Sequence, residues 1–147
     1  MKEKPPTIKS RPLTYIHNIP ISKIETIWNN FKEGSIHATK CNECKEKYYP
    51  PQSDCPNCMN NTMEWYKLKQ KGNLVTFTEV TVKPQGFTHY EEPYFIAIVE
   101  NEEKIKILGW IIGIEFKNVK IGMPLKISSR MMPDNYPSII FTSIKNE

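Results

Sequence analysis

The sequence contains no apolar run close to the roughly twenty residues that a membrane-spanning helix needs. Residues 1–11 are charged and proline-bearing, and they lack the apolar stretch of a signal peptide. We therefore expect no membrane span and a cytoplasmic location, where thiols stay reduced. Hydrophobic residues make up 39% of the 147 residues, and aromatic residues make up 11%. This content is sufficient to form the core of one domain, or of two small modules that share a core.

The common signatures of catalysis and nucleotide binding are also missing. There is no P-loop, no GxGxxG, and no Ser/His/Asp or Cys/His arrangement. The three histidines, His17, His37 and His89, are scattered, and only His89 lies among aromatic residues in a predicted loop. These absences argue against a free-standing enzyme, so we expect a chain that does not itself catalyse a reaction.

All four cysteines lie in two pairs, C-N-E-C and C-P-N-C. Two residues separate the cysteines of each pair, so a tight turn can point both sulfurs at one ion. Four thiolates complete a tetrahedral shell, which predicts a structural zinc and leaves His37 outside the ligand set. Spacing alone also fits a rubredoxin-type iron, and a disulfide within each pair is a further alternative. The predicted ligands are Cys41, Cys44, Cys55 and Cys58.

The N-terminal part predicts an arm followed by a helix. Residues 1–20 contain four prolines and no clear periodicity, which indicates an extended arm. Residues 22–33 predict a helix, with Ser22 and Glu25 as a capping box and Gly34 as a stop. One face of this helix is apolar, with residues at i, i+3, i+4 and i+7: Ile24, Ile27, Trp28 and Phe31.

The remaining chain predicts strands. Short strands over 36–40 and 63–68 flank the cysteine pairs in a zinc-ribbon layout. Five more strands follow, over 73–83, 93–100, 104–113, 123–131 and 138–145. The alternation of the first slips between Phe77 and Val80, which predicts a bulge or bend. Five strands in this length favour a small closed barrel of the OB-fold type, with a small β-sandwich as the alternative.

The predicted fold is therefore mainly β, with an N-terminal helix, a rubredoxin-like zinc ribbon and a C-terminal OB-fold barrel. We divide it into an arm and amphipathic helix (1–35), the ribbon (36–70) and the barrel (71–147). In an OB-fold the loops after strands 1 and 4, here 84–92 and 132–137, lie beside the ligand face. Both loops contain prolines and aromatic residues. This composition suits the rigid, partly apolar rim of a ligand site, and it suits ordinary loops with packed aromatics equally well.

The net charge of +4 is unevenly distributed. Residues 1–72 hold 12 basic and 7 acidic residues, whereas residues 73–147 hold 8 and 9. The basic first half suits an anionic partner such as nucleic acid or a phosphate-rich cofactor, although ordinary solvated lysines explain it equally well. Nucleic-acid binding is disfavoured because the second barrel strand has no Lys or Arg and the next turn is acidic.

Taken in order, these features resemble a known family, the zinc-ribbon/OB-fold acyl-CoA-associated proteins, long known as a domain of unknown function. The resemblance covers residues 20–145. Its motifs are, in chain order, Lys32-Glu33-Gly34, C-N-E-C, Tyr49-Pro50-Pro51, C-P-N-C, Glu64-Trp65, Gly72, Pro93-Tyr94 and Ile121-Gly122-Met123-Pro124. Two-cysteine turns of this kind usually carry glycine after the second cysteine, where φ is often positive. This chain has Lys45 and Met59 at these two positions.

The resemblance implies a small non-catalytic partner of CoA-dependent enzymes, chiefly thiolases. In archaea, members of the family bridge a thiolase and a hydroxymethylglutaryl-CoA synthase, and they are thought to hold CoA or acyl-CoA between the two sites. We therefore expect an acyl-CoA-binding accessory subunit, with nucleic-acid binding as the alternative function. The expected ligand contacts are Trp28, Phe31, Phe87, His89 and Tyr94.

Overall fold

The computed structural model describes residues 8, 17–82 and 93–144. Over these ranges the structure has one α-helix, α1 (Glu25–Lys32), one short 3-10 helix (Phe116–Asn118) and eight strands, so the predicted mainly β class is confirmed. Neither helix of this described part is long and apolar enough to cross a bilayer. Most of the predicted arm, and the loop that contains Phe87 and His89, lie outside the described residues.

Three strands form the ribbon: β1 (His37–Cys41), β2 (Lys47–Tyr48) and β3 (Met63–Lys67). They pair antiparallel in the order β2-β1-β3, and Thr39 of β1 lies opposite Tyr48 on one side and Trp65 on the other. Cys41 ends β1 and Cys44 lies in the connection to β2, whereas Cys55 and Cys58 lie in the connection from β2 to β3. The ribbon layout predicted from the cysteine spacing is therefore present.

Five strands form a closed barrel in the order β4-β5-β6-β8-β7. All neighbouring strands pair antiparallel except β6 and β8, which pair in parallel through Trp110–Ile140 and Ile111–Phe141. Closure between β4 and β7 excludes the alternative sandwich and confirms the OB-type barrel. The strands are β4 (Lys71–Val80), β5 (Tyr94–Asn101), β6 (Lys106–Ile111), β7 (Pro124–Met131) and β8 (Pro137–Ser143).

The irregularity in the first barrel strand lies elsewhere than predicted. The register with β5 shifts between Leu74 and Thr76, whereas Phe77 to Val80 pair regularly, so the predicted bulge position is wrong. Leu74 is buried and Val75 is exposed. The alternation of apolar residues did not indicate this position, because Val75 is apolar although it lies at the bulge and is exposed.

The start of the helix also differs from the prediction. Helix α1 begins at Glu25 with Ile24 as its N-cap, and no side chain caps it, so the predicted Ser22–Glu25 capping box is wrong. The chain instead enters through a turn in which the Ile24 N–H donates to the Ile21 carbonyl at 2.8 Å. The predicted stop is confirmed, because Gly34 has a φ of +77° and its N–H donates to the Phe31 carbonyl.

One buried cluster joins the helix, the ribbon and the barrel. Phe31 of α1 and Ile36 and Ala38 beside or within β1 belong to the same core as the barrel interior. The Ser129 hydroxyl of β7 donates to the Phe31 carbonyl at 2.8 Å, which fixes the end of the helix on the barrel. Each fully buried large apolar side chain contributes about 1.5–3 kcal/mol. The largest of these are Ile36, Leu74, Val99, Ile107, Leu125, Ile127 and Phe141.

Candidate metal centre and ligand surface

The two cysteine turns have the same backbone hydrogen bonds. In each, the N–H of the first cysteine donates at 2.8 Å to the carbonyl oxygen five residues later, Glu46 in one turn and Asn60 in the other. In each, the N–H of the residue four positions after the first cysteine donates to that cysteine's carbonyl. The distance is 3.1 Å from Lys45 to Cys41 and 2.9 Å from Met59 to Cys55. We call these turns knuckle 1 (residues 41–46) and knuckle 2 (residues 55–60). Because the two turns have equivalent backbones, they place the four cysteine sulfurs around one point.

The residue after the second cysteine of each knuckle has a left-handed backbone. The φ angle is +63° at Lys45 and +59° at Met59. Glycine adopts this region freely, whereas the same backbone conformation costs a residue with a side chain about 1–2 kcal/mol of conformational free energy. The glycine typical of such knuckles is thus absent, but its conformation is retained.

The sulfur atoms are arranged as a tetrahedral metal site requires. All four Sγ atoms lie within 4.8 Å of one another. The contacts Cys41–Cys58 and Cys44–Cys55 are both 3.5 Å, so the close approaches run between the knuckles. Zinc–sulfur bonds of about 2.3 Å would place tetrahedral sulfurs about 3.8 Å apart, so the four thiols fit a zinc ion. All four cysteines are free, which excludes the disulfide alternative in this structure.

The four sulfurs differ in their surroundings. Cys41 and Cys55 are buried, Cys44 is half-buried and Cys58 is exposed. The Tyr48 hydroxyl contacts the Cys55 sulfur at 3.3 Å. Desolvation opposes ionisation of Cys55, but the hydrogen bonds from Tyr48 and the backbone outweigh it and lower the pKa of this thiol to about 6. Tyr48 is therefore a supporting residue of the metal centre, which spacing arguments about the cysteines did not identify.

A second group that sequence reasoning missed lies where the ribbon joins the barrel. Glu103, in the turn between β5 and β6, accepts the Lys69 backbone N–H at 2.9 Å and contacts the Lys47 ammonium at 3.1 Å. Desolvation opposes ionisation of Glu103, but these partners hold the pKa of its carboxyl below the usual value. The Lys47 ammonium also lies 5.0 Å from the ring centroid of Tyr66. The β5–β6 hairpin of the barrel therefore contacts both the ribbon sheet and the linker that joins the ribbon to β4.

The predicted ligand contacts are only partly within the described structure. Phe31 is 9% exposed and belongs to the core, and the half-buried Trp28 packs edge-on against it at 6.3 Å between ring centroids. The Trp28 indole Nε1 is buried and has no hydrogen-bond partner among the described residues. Tyr94, at the start of β5, stacks on Trp110 with ring centroids 4.6 Å apart. The structure thus pairs Trp28 with Phe31 and Tyr94 with Trp110.

Two surface clefts are formed by described residues. One of about 340 Å³ lies between the entry to α1 and the ribbon, and it is lined by Lys23, Gln52, Ser53, Asp54, Asn61, Met63 and Trp65. The other, of about 250 Å³, lies on the barrel and includes Lys71, Glu100, Lys104 and Pro124. Neither of these two clefts combines residues of the helix–ribbon half with residues of the barrel.

The outer side of strands β5 and β6 is mainly apolar. Ile96 and Ile98 lie opposite Trp110 and Leu108, and Leu108 is 62% exposed. Strand β5 carries no Lys or Arg, and the charges nearby include an ion pair between Glu100 and Lys104 at 3.6 Å. Nucleic-acid binding on such a face needs several basic residues interleaved with aromatics, whereas Lys106, opposite Glu100, is the only Lys or Arg in these two strands.

Family models match both parts of this architecture. A rubredoxin-like zinc ribbon domain of ChsH2 matches residues 28–62, and a C-terminal OB-fold domain of ChsH2 matches residues 65–130. A protein of Methanocaldococcus jannaschii, named as a DUF35 domain-containing scaffold protein, is 34% identical over 110 residues, which are 74% of this chain and 77% of the relative. The chain belongs to the DUF35 family.

A further relative and one solved structure match at lower sequence identity. The benzoylsuccinyl-CoA thiolase subunit BbsA of Geobacter metallireducens is 23% identical over 116 residues, which cover 75% of this chain and 76% of BbsA. The solved structure titled Ltp2-ChsH2(DUF35) aldolase superposes with a TM-score of 0.73 and 20% identity, covering 90% of this chain and 98% of that one. This structural likeness establishes the ribbon-plus-barrel fold. The ribbon match and the four-sulfur cluster together identify the metal site as a structural zinc site.

Proposed function

We propose that the chain is a non-catalytic accessory subunit of a thiolase-type enzyme that acts on CoA thioesters. The observation that carries the proposal is the closed four-thiolate site in a chain of the DUF35 scaffold family. Zinc held by four thiolates has no open position for water or substrate, so the ion stabilises the fold and does not activate a reactant. The naming of the relative BbsA as a thiolase subunit supports this kind of partner.

Binding of CoA or an acyl-CoA is the finer part of the proposal. The basic balance of residues 1–72 suits the phosphates of CoA, and the aromatic candidates suit its extended pantetheine arm. Trp28 and Tyr94 are the described candidates with partly exposed rings, whereas Phe31 contributes mainly by holding Trp28. Phe87 and His89 complete the proposed contact set. A hydroxymethylglutaryl-CoA synthase is the second partner that we propose, because the family resemblance implies it.

The experiment combines association with ligand binding. The protein is co-expressed with each thiolase of the same organism, and gel filtration tests whether the two elute together. Calorimetry with CoA, acetyl-CoA and a single-stranded oligonucleotide is then carried out on the isolated chain and on the complex. Co-elution with a CoA signal in the complex supports the proposal. Tight oligonucleotide binding without any CoA signal would favour the nucleic-acid alternative instead.

Trp28 offers a matched test of the ligand contact. Replacement of Trp28 by Phe keeps an aromatic ring on Phe31 but removes the indole N–H, which has no partner among the described residues. If Trp28 contacts CoA, the Trp28→Phe complex should bind CoA more weakly while its melting temperature changes little. The control is Phe116→Leu, because Phe116 is a half-exposed aromatic residue of the 3-10 helix and not a proposed ligand contact.

A further inference from the structure

The four sulfurs of the zinc site differ in their access to solvent. Cys41 is 0% exposed and Cys55 is 1% exposed, whereas Cys44 is half-buried and Cys58 is exposed. Oxidation of cysteine is selective for thiolates that solvent can reach. A small oxidant in solution therefore meets the Cys58 sulfur before the other three.

The exposure of Cys58 follows from the chain around knuckle 2. Knuckle 1 leads directly into β2, and the Tyr48 hydroxyl of that strand contacts the Cys55 sulfur at 3.3 Å. Knuckle 2 is instead followed by two exposed residues before β3 begins. Residues 56–59, which include Cys58, are all exposed. The two turns have equivalent backbones, so the difference lies in what packs beside them.

Cys58 also has a second sulfur within contact distance. Its Sγ lies 3.5 Å from the Sγ of Cys41, which is buried at the end of β1. A disulfide bond is about 2.05 Å long, so the two sulfurs need to approach by only about 1.5 Å. An exposed thiolate beside a buried one is the arrangement in which a first oxidation is followed by disulfide formation.

We propose that Cys58 is an oxidation site for hydroperoxides, and that Cys41 completes the reaction by forming a disulfide with it, which opens the zinc site. A thiol that coordinates a metal ion is deprotonated, so both sulfurs are thiolates in the zinc-loaded protein. The inference goes beyond the accessory role and does not depend on it, since its reactants are the zinc-loaded chain and a peroxide.

The reaction balances in two steps. The Cys58 thiolate attacks one oxygen of hydrogen peroxide, so an S–O bond forms, the O–O bond breaks and hydroxide leaves. The sulfur is oxidised to a sulfenic acid and the peroxide is reduced. The Cys41 thiolate then attacks the Cys58 sulfur, so an S–S bond forms, the S–O bond breaks and a second hydroxide leaves.

The disulfide removes half of the zinc ligands. Cys44 and Cys55 remain as thiolates, and two thiolates do not complete the tetrahedral shell of a structural zinc. Zinc affinity therefore falls. Because binding of a structural zinc is coupled to folding, the ribbon loses stability when the ion leaves.

The test treats the zinc-loaded wild type with hydrogen peroxide and follows zinc release with a chromophoric chelator. Dimedone traps the sulfenic acid, and peptide mass spectrometry without reduction locates the first disulfide. We expect the dimedone adduct on Cys58, a first disulfide between Cys41 and Cys58, and zinc release in step with that disulfide. Dithiothreitol with added zinc should restore the thiols and the zinc content. Met59→Leu is treated in parallel, because the Met59 thioether is 81% exposed and also consumes peroxide.

Two ligand exchanges compare the second cysteine of each knuckle. Cys58→His and Cys44→His each leave three thiolates and one imidazole, a ligand set that also holds structural zinc. We expect Cys58→His to slow zinc release by at least about tenfold, and Cys44→His to change it by less than about threefold, because only the former removes the exposed sulfur.

The outcomes decide the assignment. A dimedone adduct on Cys44, or a first disulfide between Cys55 and Cys58, would overturn it, and so would equal rates of zinc release from the two histidine variants. Oxidation of Met59 alone, with zinc still bound, would show that the site does not react with peroxide. If a histidine variant binds no zinc, the peptide map of the wild type decides by itself.

Discussion

The carboxylate of Glu103 accepts the backbone N–H of Lys69 at 2.9 Å, although the two residues belong to different parts of the fold. Lys69 lies in the linker between the ribbon and β4, and Glu103 lies at the tip of the β5–β6 hairpin. Asn101, in the same hairpin, donates to the Lys69 carbonyl at 3.4 Å. The hairpin tip therefore satisfies both backbone groups of one linker residue, which sets the ribbon on the barrel.

Replacement of Glu103 by Ala should destabilise the protein by about 0.5–1.5 kcal/mol, because the backbone N–H of Lys69 and the ammonium of Lys47 lose their acceptor. Urea unfolding at neutral pH measures the change. Glu102→Ala is the matched control, since Glu102 is an exposed neighbour in the same turn and should change stability by less than about 0.5 kcal/mol. Equal effects of the two substitutions would contradict this role of Glu103.

Tyr48→Phe should weaken zinc retention, because it removes the hydroxyl that contacts the Cys55 sulfur at 3.3 Å. Loss of such a supporting hydrogen bond typically costs about 10–100-fold in metal affinity. Elemental analysis should first give one zinc per wild-type chain, and competition with a chelator then ranks the variants. Tyr136→Phe is the control, because Tyr136 is an exposed residue outside the ribbon. Unchanged zinc retention in Tyr48→Phe would show that the phenol does not support the site.

Gly72→Ala should strongly destabilise the barrel. A Cβ at Gly72 would lie 2.5 Å from the Glu100 carbonyl oxygen and 2.8 Å from a Val99 methyl group, so the β4–β5 pair would have to separate. We expect a loss of about 3 kcal/mol. Gly113→Ala is the comparison, since a Cβ there meets nothing within 4 Å and only its φ of +73° opposes the change, at about 1 kcal/mol. Urea unfolding should rank the two variants in this order.

The stability of the protein should depend on pH through His37. Burial and the neighbouring Lys67 lower the pKa of His37, and Glu33 acts in the opposite direction. The folded state therefore binds fewer protons at this site than the unfolded state. The contribution of neutral His37 to the free energy of unfolding is fully present above its unfolded-state pKa of about 6.5. It is lost as the pH falls towards the lower pKa of His37 in the folded state.

The comparison is between the wild type and His37→Gln at pH 7.5 and pH 5.5. Zinc release in acid affects both proteins, so the difference between their free energies of unfolding isolates His37. We expect the wild type to lose more stability than His37→Gln over this interval. A difference that stays constant across the interval would show that His37 has the same pKa in both states.

Sequence patterns predicted most of the architecture because they report burial and turn geometry directly. The strand predicted over 123–131 placed β7 correctly, and the cysteine spacing predicted both knuckles. Ser22 was misassigned as a cap because a capping motif describes only local hydrogen bonding, whereas the chain first forms a turn from Ile21 to Ile24 and the helix begins at Glu25. Tyr48 and Glu103 were missed for a similar reason, since their partners lie 7 and 34 residues away and depend on the assembled sheets.

The accessory role is tested most directly by the turnover of a purified thiolase of the same organism, measured with and without this chain after gel filtration of the mixture. The account predicts that the two proteins elute together and that thiolase turnover rises when the chain is added. It also predicts that Cys55→Ser, which lacks one zinc ligand, neither co-elutes nor raises turnover. Separate elution from every thiolase of the organism, with full thiolase turnover in the absence of this chain, would contradict the account.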